Sequence, residues 1–207
     1  MHKILTIAAA ASAGAITVGA ALLLIPAEEP PLPLVEGAVD IGGADLGGAF
    51  ELTAHTGERL TDTALIDGPT LIYFGYTYCP DVCPIDTQLM VEAVDILAER
   101  GIEATPVFIT VDPARDDVDS LSYFANAMHD DMIALTGSDA DIAAAAKAYK
   151  VYYQRVDNGG AAGYLMNHTA FTYFMMPDGI AGLFRHATTP ENMATQVERV
   201  LKRDGLS

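Results

Sequence analysis

Basic residues are scarce in this chain. Lysine and arginine together number 11 against 28 aspartates and glutamates, so the formal net charge is −17. A surface that binds the phosphates of nucleic acid needs the opposite sign, so we expect no nucleic-acid partner. The acidity is typical of a domain kept soluble outside the cytoplasm. A second interpretation is a surface that steers a basic protein or a cation.

Cysteine is almost absent. Only Cys79 and Cys83 occur among 207 residues, both within the stretch YFGYTYCPDVCP at 73–84. A network of disulfides is therefore excluded as a source of stability. A single disulfide closing so short a loop would remove little entropy from the unfolded chain. The pair is better explained by chemistry, either as a redox dithiol or as half of a metal site.

Charge is missing from one long segment near the start. From Ile4 to Ile25 the chain runs 22 residues without a charged side chain, and Lys3 precedes this run. As a helix it would measure about 33 Å, enough for a hydrocarbon core of roughly 30 Å. We therefore predict a transmembrane anchor at 1–25, with the rest of the chain exported. A cleavable signal peptide is the alternative, because ASA at 11–13 resembles a cleavage site.

The remainder divides into a linker and a domain. Residues 26–45 carry four prolines and several acids with little periodicity, which predicts an extended proline-rich acidic linker. The folded domain is predicted to span 46–207. Buried strands are expected at 69–76 and 103–111, and a helix at 84–100 from the spacing of its apolar residues. Alternating strands and helices, followed by a hairpin and a closing helix, predict an α/β sandwich.

Pro84 shapes the prediction for the cysteine region. Proline fits the first position of a helix and pushes the preceding residue out of the helical conformation. We therefore predict Cys83 at the helix N-cap and Cys79 one loop turn earlier, after the strand. The N-terminus of a helix favours a thiolate over a thiol, and two neighbouring thiolates make a soft ligand pair.

Histidine and methionine are the candidates for further ligands. The histidines are His2, His55, His129, His168 and His186. His168 differs from the others because it follows the glycine-rich stretch at 157–163 and is predicted to begin a buried strand. A mobile loop would bring its imidazole over the cysteines, but position alone leaves a ligand role and a structural role both open. Met90 and Met166 are interpreted as packing residues rather than ligands.

Four motifs, in order along the chain, carry a family resemblance. GYTYCPDVCP resembles the C-P-D-x-C-P signature of the Sco/SenC copper proteins, which assist the assembly of cytochrome c oxidase. VDPARD (111–116) is similar to the V-D-P-x-R-D stretch of that family. LTGSDADIAAAAKAYKVYY and NHTAFTYFMMPDG resemble its two later motifs. The resemblance covers residues 46–204 and implies a thioredoxin-like fold, a central mixed sheet flanked by helices.

The resemblance also implies a metal and its ligands. It implies copper, as Cu(I) and/or Cu(II), bound by two thiolates and one imidazole, here Cys79, Cys83 and His168. Two thiolates and an imidazole suit Cu(I), whereas structural zinc takes four protein ligands and no convincing fourth is found. The chain departs from the family at Tyr78, where members often have histidine, and at Asn167, where aspartate usually precedes the ligand histidine. The second departure is expected to alter the charge around the metal and its Cu(II) preference.

Three functions compete at this point. The first is a membrane-anchored copper chaperone, single-pass in a bacterial inner membrane, with its domain in the periplasm. It would work with other exported copper chaperones and deliver copper to the copper-site subunit of cytochrome c oxidase. The alternative is a thiol–disulfide oxidoreductase in which Cys79 and Cys83 reduce the oxidase cysteines, although thioredoxin-type catalysts use C-x-x-C. A peroxiredoxin-type peroxidase is a third, poorly supported because Arg115 is better interpreted as an ion-pair partner of Asp112 or Asp116.

Overall fold

The computed structural model describes residues 33–41, 43–157 and 163–206. The predicted anchor at 1–25 and residues 158–162 of the glycine-rich stretch lie outside these ranges. Among the described residues, no helix combines the length and the apolar character needed to cross a bilayer.

Most of the described strands join one mixed sheet. The strands are β1 (Ala38–Val39), β2 (Glu51–Ala54), β3 (Arg59–Thr61), β4 (Thr70–Gly75), β5 (Thr105–Thr110), β6 (Ile133–Thr136), β7 (Tyr153–Asp157), β8 (Tyr164–His168), β9 (Phe171–Met176) and β10 (Gly179–Arg185). The sheet has the order β1-β10-β9-β4-β5-β6-β2-β3, and β7 pairs with β8 in a separate antiparallel hairpin. Strands β4, β5 and β6 are parallel, whereas β9 and β10 run antiparallel to their neighbours.

Helices connect and cover these strands. They are α1 (Asp62–Leu65), α2 (Val82–Glu99), α3 (Val118–Met128), α4 (Asp139–Ala148) and α5 (Pro190–Arg203). Hydroxyl caps fix two of the starting points. The Ser138 hydroxyl accepts a hydrogen bond from the N–H of Asp141 before α4, and Thr189 accepts one from Asn192 before α5. These contacts satisfy backbone donors that the first turn of a helix leaves unpaired. The mixed sheet and its helices confirm the predicted α/β class.

Strand β4 lies at the centre of the core. All six of its residues are buried, and Leu71, Ile72, Tyr73 and Phe74 have no exposed surface. A strand covered on both faces has no need for alternating polar residues, which explains the continuous apolar run in the sequence. The carboxyl ends of β4 and the parallel strand β5 meet at one edge of the sheet. In α/β folds this edge is the usual place for a site, and both cysteines follow β4.

The boundary between linker and domain differs from the prediction. Residues from Pro33 onward belong to the same compact unit as the domain, and β1 adds a strand to the sheet edge beside β10. The N–H of Val35 donates to Gln196, and Arg199 donates to the carbonyl of Pro33. A two-residue edge strand is too short to show alternation, so the sequence pattern could not reveal it. The part of the predicted linker at 26–32 lies outside the described residues.

The position of His168 also differs from the prediction. It does not begin the buried strand; it is the last residue of β8, and β9 begins only at Phe171. Two hydrogen bonds between Thr169 and Tyr152 close the open end of the hairpin. The N–H of Thr169 donates to the carbonyl of Tyr152, and the hydroxyl of Thr169 accepts from the N–H of Tyr152. The chain then turns from the hairpin into the main sheet. His168 is therefore held by the hairpin, next to its fixed base.

Candidate metal centre

The cysteines lie in the connection between β4 and α2. The N–H of Cys79 donates to the carbonyl of Tyr76 at 3.2 Å, which forms a tight turn after the strand. Helix α2 begins at Val82 and its N-cap is Asp81. The prediction of Cys83 at the N-cap is therefore wrong by two positions, and Pro84 is the third helical residue. Proline is tolerated there because the first N–H groups of a helix have no intrahelical partner.

Cys83 and His168 are in direct contact. The Nε2 atom of His168 lies 3.1 Å from the sulfur of Cys83, across 85 positions of sequence. On the other side of the ring, Nδ1 lies 2.9 Å from the carbonyl oxygen of Thr169. A carbonyl oxygen only accepts hydrogen bonds, so Nδ1 carries the proton. Nε2 is thus the ring nitrogen that faces the cysteines, and it is the one positioned to bind a metal.

The three predicted ligand side chains converge. The sulfur atoms of Cys79 and Cys83 and a ring nitrogen of His168 all lie within 4.8 Å of one another. The two cysteines are not joined in a disulfide. Cys83 is buried, with 1% of its surface exposed, whereas Cys79 and His168 are partly exposed. A partner can therefore approach the group from the side of Cys79.

Proton sharing makes the two cysteines unequal. The hydrogen bond from the Cys83 thiol is the largest cause that lowers the pKa of Cys79, to about 3, and the backbone N–H groups of Asp81 and Cys83 add to it. The same hydrogen bond, together with burial, raises the pKa of Cys83 far above that of an ordinary thiol. The metal-free pair therefore holds one thiolate, on Cys79, and one proton, on Cys83. Binding of a metal by both sulfurs must release that proton.

Aromatic rings and a glycine enclose the site. The rings of Tyr73 and Tyr76 meet the His168 ring edge-on, with centroids 6.1 and 5.9 Å away. A Cβ at Gly75 would lie 2.9 Å from ring atoms of Tyr73 and Phe108 and 3.2 Å from the Cys83 sulfur. Glycine is required here because any side chain would push into the site. Tyr73, Tyr76 and Gly75 were not among the predicted site residues, and only the glycine at the end of the apolar strand β4 offered a signal in the sequence.

The remaining histidines and methionines lie elsewhere. His55 accepts from the N–H of Ala134, His129 pairs with Asp95, and His186 pairs with Asp86; His2 is outside the described residues. Met90 is fully buried in the core. Met166 shares β8 with His168 and is partly exposed. Within the described ranges, Cys79, Cys83 and His168 form the group of metal-binding side chains that the structure brings together.

The two departures from the family pattern lie beside the ligand side chains. Tyr78 is 54% exposed, and its ring packs under the guanidinium of Arg115 at 4.8 Å. Asn167 is exposed on β8, opposite Gln154. Neither residue displaces a member of the Cys-Cys-His group.

Comparisons with known proteins match this chain by sequence and by fold. The SCO1/SenC family model matches residues 39–202. The chain belongs to the SCO1/SenC family. Protein SenC of Rhodobacter capsulatus is 43% identical over 196 residues, which cover 93% of this chain and 88% of SenC.

Solved SCO1/SenC structures confirm the expected fold and point to the metal. ScoI of Bradyrhizobium japonicum, solved with copper bound, is 36% identical with a TM-score of 0.68, covering 75% of this chain and 99% of that one. ScoI of Arabidopsis thaliana, also with copper bound, is 32% identical with a TM-score of 0.74, covering 76% and 99%. The thioredoxin-like architecture of SCO1/SenC proteins is thus present here, and copper is confirmed as the metal of solved relatives. BsSco, whose structure is 21% identical with a TM-score of 0.62, shares the fold and is itself a member of the Sco family of cytochrome c oxidase assembly proteins.

Proposed function

We propose that the protein is a membrane-anchored copper chaperone. It binds copper through the sulfurs of Cys79 and Cys83 and Nε2 of His168, and it delivers the ion to the binuclear copper site of a cytochrome c oxidase subunit. The observation that carries the proposal is the convergence of these three donors within 4.8 Å. The copper-bound structures of similar SCO1/SenC proteins support the choice of metal.

The donor set and its access suit a transferred ion. Thiolates and a neutral imidazole are ligands that hold Cu(I) with three donors and leave room for an incoming ligand. Cys83 is buried and Cys79 is partly exposed, so a cysteine of the recipient enters on the Cys79 side. Exchange then proceeds ligand by ligand, and the copper ion remains bound to sulfur throughout.

The proposed cellular location of the protein rests on the uncharged run at 4–25, which lies outside the described residues. This run tethers the domain to the bacterial inner membrane, with the domain in the periplasm beside the oxidase and other exported copper chaperones. Alkaline carbonate extraction of membranes tests this part, because an anchored chain stays in the pellet and a cleaved one is released.

Copper binding by the purified, reduced full-length chain tests the proposal. We expect one Cu(I) per chain, weaker binding in His168→Ala, and no tight binding in Cys79→Ser/Cys83→Ser. His129→Ala is the matched control, because His129 pairs with Asp95 and not with the cysteines. Tight Cu(I) binding that survives loss of both cysteines would refute the proposed site.

A thiol–disulfide reductase is the second candidate, favoured by the inequality of the two cysteines. The Cys79 thiolate would attack a disulfide of the oxidase subunit, forming a mixed disulfide and releasing one thiolate of that subunit. Cys83 would then lose its proton and attack Cys79, forming the Cys79–Cys83 disulfide and releasing the second thiolate. Two electrons pass to the oxidase cysteines. His168→Ala separates the two functions, because reduction should survive it and copper delivery should not.

A further inference from the structure

One sequence motif is not used by the proposed function: VDPARD, at 111–116. It follows β5 directly, at the same sheet edge as the cysteine loop. Its last residue, Asp116, has no exposed surface. The carboxylate accepts from the Thr77 N–H at 3.0 Å, from the Thr77 hydroxyl at 2.5 Å and from the Thr110 hydroxyl at 2.6 Å. Asp116 thus ties the loop that begins two residues before Cys79 to the end of β5.

The other charged residues of the motif hold the histidine hairpin. The hydroxyl of Tyr164, the first residue of β8, donates to Asp112 at 2.8 Å. Nη1 of Arg115 donates to the carbonyl of Tyr164 at 3.1 Å, and its guanidinium lies 3.6 Å from the centre of the Tyr164 ring. Arg115 is itself fixed by Asp112, whose carboxylate accepts from Nε at 2.5 Å. This pair is largely shielded from water, which strengthens it relative to a surface ion pair.

Arg115 also reaches the cysteine loop. The same guanidinium lies 4.8 Å from the Tyr78 ring and 5.7 Å from the Tyr76 ring. Tyr78 is the residue before Cys79, and Tyr164 begins the strand that ends in His168. A single planar cation therefore joins the two chain segments that carry the donor atoms. Stacking on aromatic faces while donating hydrogen bonds in the plane is a property of arginine that lysine lacks.

The hairpin is held at two places along β8. At its base, Thr169 and Tyr152 exchange hydrogen bonds. At the other end of β8, Tyr164 is held by Asp112 and Arg115. A strand fixed at both ends has a defined direction, whereas one fixed only at the base can pivot. Because His168 lies between the two attachments, the hold on Tyr164 determines where Nε2 lies relative to the sulfurs.

We propose that Asp112, Arg115 and Asp116 form a brace that sets the position of His168 relative to Cys79 and Cys83. These are positioning residues, since their described side-chain contacts outside the motif are to Thr77, Thr110, Tyr76, Tyr78 and Tyr164 rather than to the donor atoms. Loss of the hold on Tyr164 frees His168 while both cysteines keep their places. The inference rests on the proposed function, because the position of His168 affects copper only if His168 is a ligand.

Two mild variants and one matched control test the brace. Arg115→Lys keeps the positive charge. A lysine cannot at the same time stack on the Tyr164 ring, donate to Asp112 and donate to the Tyr164 carbonyl. Tyr164→Phe removes only the hydroxyl that donates to Asp112. Arg155→Gln is the control, because Arg155 stacks on the same Tyr164 ring at 3.8 Å but pairs with the exposed Asp157 of the hairpin itself.

Two measurements distinguish an effect on the position of His168 from an effect on copper binding. In the metal-free full-length protein, NMR shifts of the His168 ring report its edge-on packing against Tyr73 and Tyr76. In the reduced protein, competition with a chelator measures the Cu(I) dissociation constant. We expect Arg115→Lys to move the His168 resonances and weaken Cu(I) binding by roughly 10- to 100-fold, the usual cost of losing a residue that orients a ligand. Tyr164→Phe should move the His168 resonances and weaken Cu(I) binding in the same direction but by less. Arg155→Gln should change neither the resonances nor the Cu(I) dissociation constant.

A double-mutant cycle that combines Arg115→Lys with His168→Ala tests whether the brace acts on Cu(I) binding through His168. If the brace acts through His168, Arg115→Lys has no further effect on Cu(I) binding once His168 is absent. Equal weakening in both backgrounds, or wild-type His168 resonances in Arg115→Lys, would overturn the brace. If His168→Ala leaves Cu(I) binding unchanged while Arg115→Lys still moves the His168 ring, the proposed copper site fails and the brace stands.

Discussion

The backbone N–H of Cys83 points at the sulfur of Cys79, 3.4 Å away. With the Cys83 thiol, which contributes most, it stabilises a thiolate on Cys79 and lowers the pKa of that group to about 3. Cys79 is therefore the reactive sulfur of the pair, and Cys83 is the protonated one. This inequality exists before any metal binds.

Alkylation of the metal-free, reduced protein tests this inequality. An ordinary thiol with a pKa of about 8.5 loses reactivity about tenfold per pH unit below that value. We expect the iodoacetamide rate at Cys79 to stay nearly constant from about pH 5 to about pH 8, because the thiolate fraction is already complete. Cys83→Ala removes the main donor and should restore a rate that climbs with pH. A climbing rate in the wild-type protein would contradict the assignment.

The same pKa difference makes stability depend on pH. The pKa of Cys79 is lower in the folded chain than in the unfolded chain, so ionisation of Cys79 stabilises the fold. This contribution is complete above the pKa of an unfolded thiol, near about 8.5, and is lost as the pH falls toward the folded value. We expect Cys79→Ala to flatten this part of the stability profile measured by thermal unfolding.

Gly75 is the position where added volume should do most harm to the site. A methyl group there would press on Tyr73, Phe108 and the Cys83 sulfur. We expect Gly75→Ala to lower the free energy of unfolding by about 1–3 kcal/mol, the usual cost of overpacking, and to weaken Cu(I) binding as well. Gly68→Ala is the matched control, because no atom lies within 4 Å of a Cβ at Gly68. Equal effects of the two substitutions in denaturant titration would refute the steric argument.

Asp116 should be sensitive to replacement by its amide. The carboxylate accepts three hydrogen bonds from Thr77 and Thr110, and an asparagine would keep only one accepting oxygen and lose the negative charge. We expect Asp116→Asn to cost about 1–3 kcal/mol of stability through unsatisfied buried groups. Because Thr77 precedes the cysteines, the slow alkylation of buried Cys83 should also become faster. Thr136, which donates to the Asp116 backbone carbonyl, provides a control as Thr136→Val, which should destabilise without exposing Cys83.

The segment before residue 40 should stabilise the domain rather than act as a free linker. A chain that begins at Asp40 loses β1, including the hydrogen bond from the Arg185 N–H to the Gly37 carbonyl. Each such bond contributes about 1 kcal/mol net, and for a domain of this size each kcal/mol lowers Tm by about 2–4 °C. We expect a measurably lower Tm than for a chain that begins at Pro33. Identical melting curves would show that β1 contributes nothing.

Local patterns were enough to predict the class of fold and half of the site. The apolar run of β4, followed by C-x-x-x-C and a helical repeat, places two thiols at a strand–helix junction wherever the rest of the chain goes. The acidic excess and the uncharged run near the start likewise need no tertiary information. These features depend on neighbours a few residues apart, which is the range over which backbone geometry and hydrophobic periodicity act.

Contacts across long sequence distances could not be predicted this way. The sequence placed His168 at the start of a buried strand, whereas in the fold it ends a hairpin, 85 positions from the Cys83 that it contacts. Its tautomer depends on the Thr169 carbonyl, and its position depends on how Tyr164 meets Asp112 and Arg115. The short strand β1 is a strand only because it pairs with β10. The sequence by itself thus determined the thiol pair, and its family resemblance implied His168 as the third ligand. Only the tertiary structure decided how that imidazole meets the sulfurs, because its position depends on packing between distant segments.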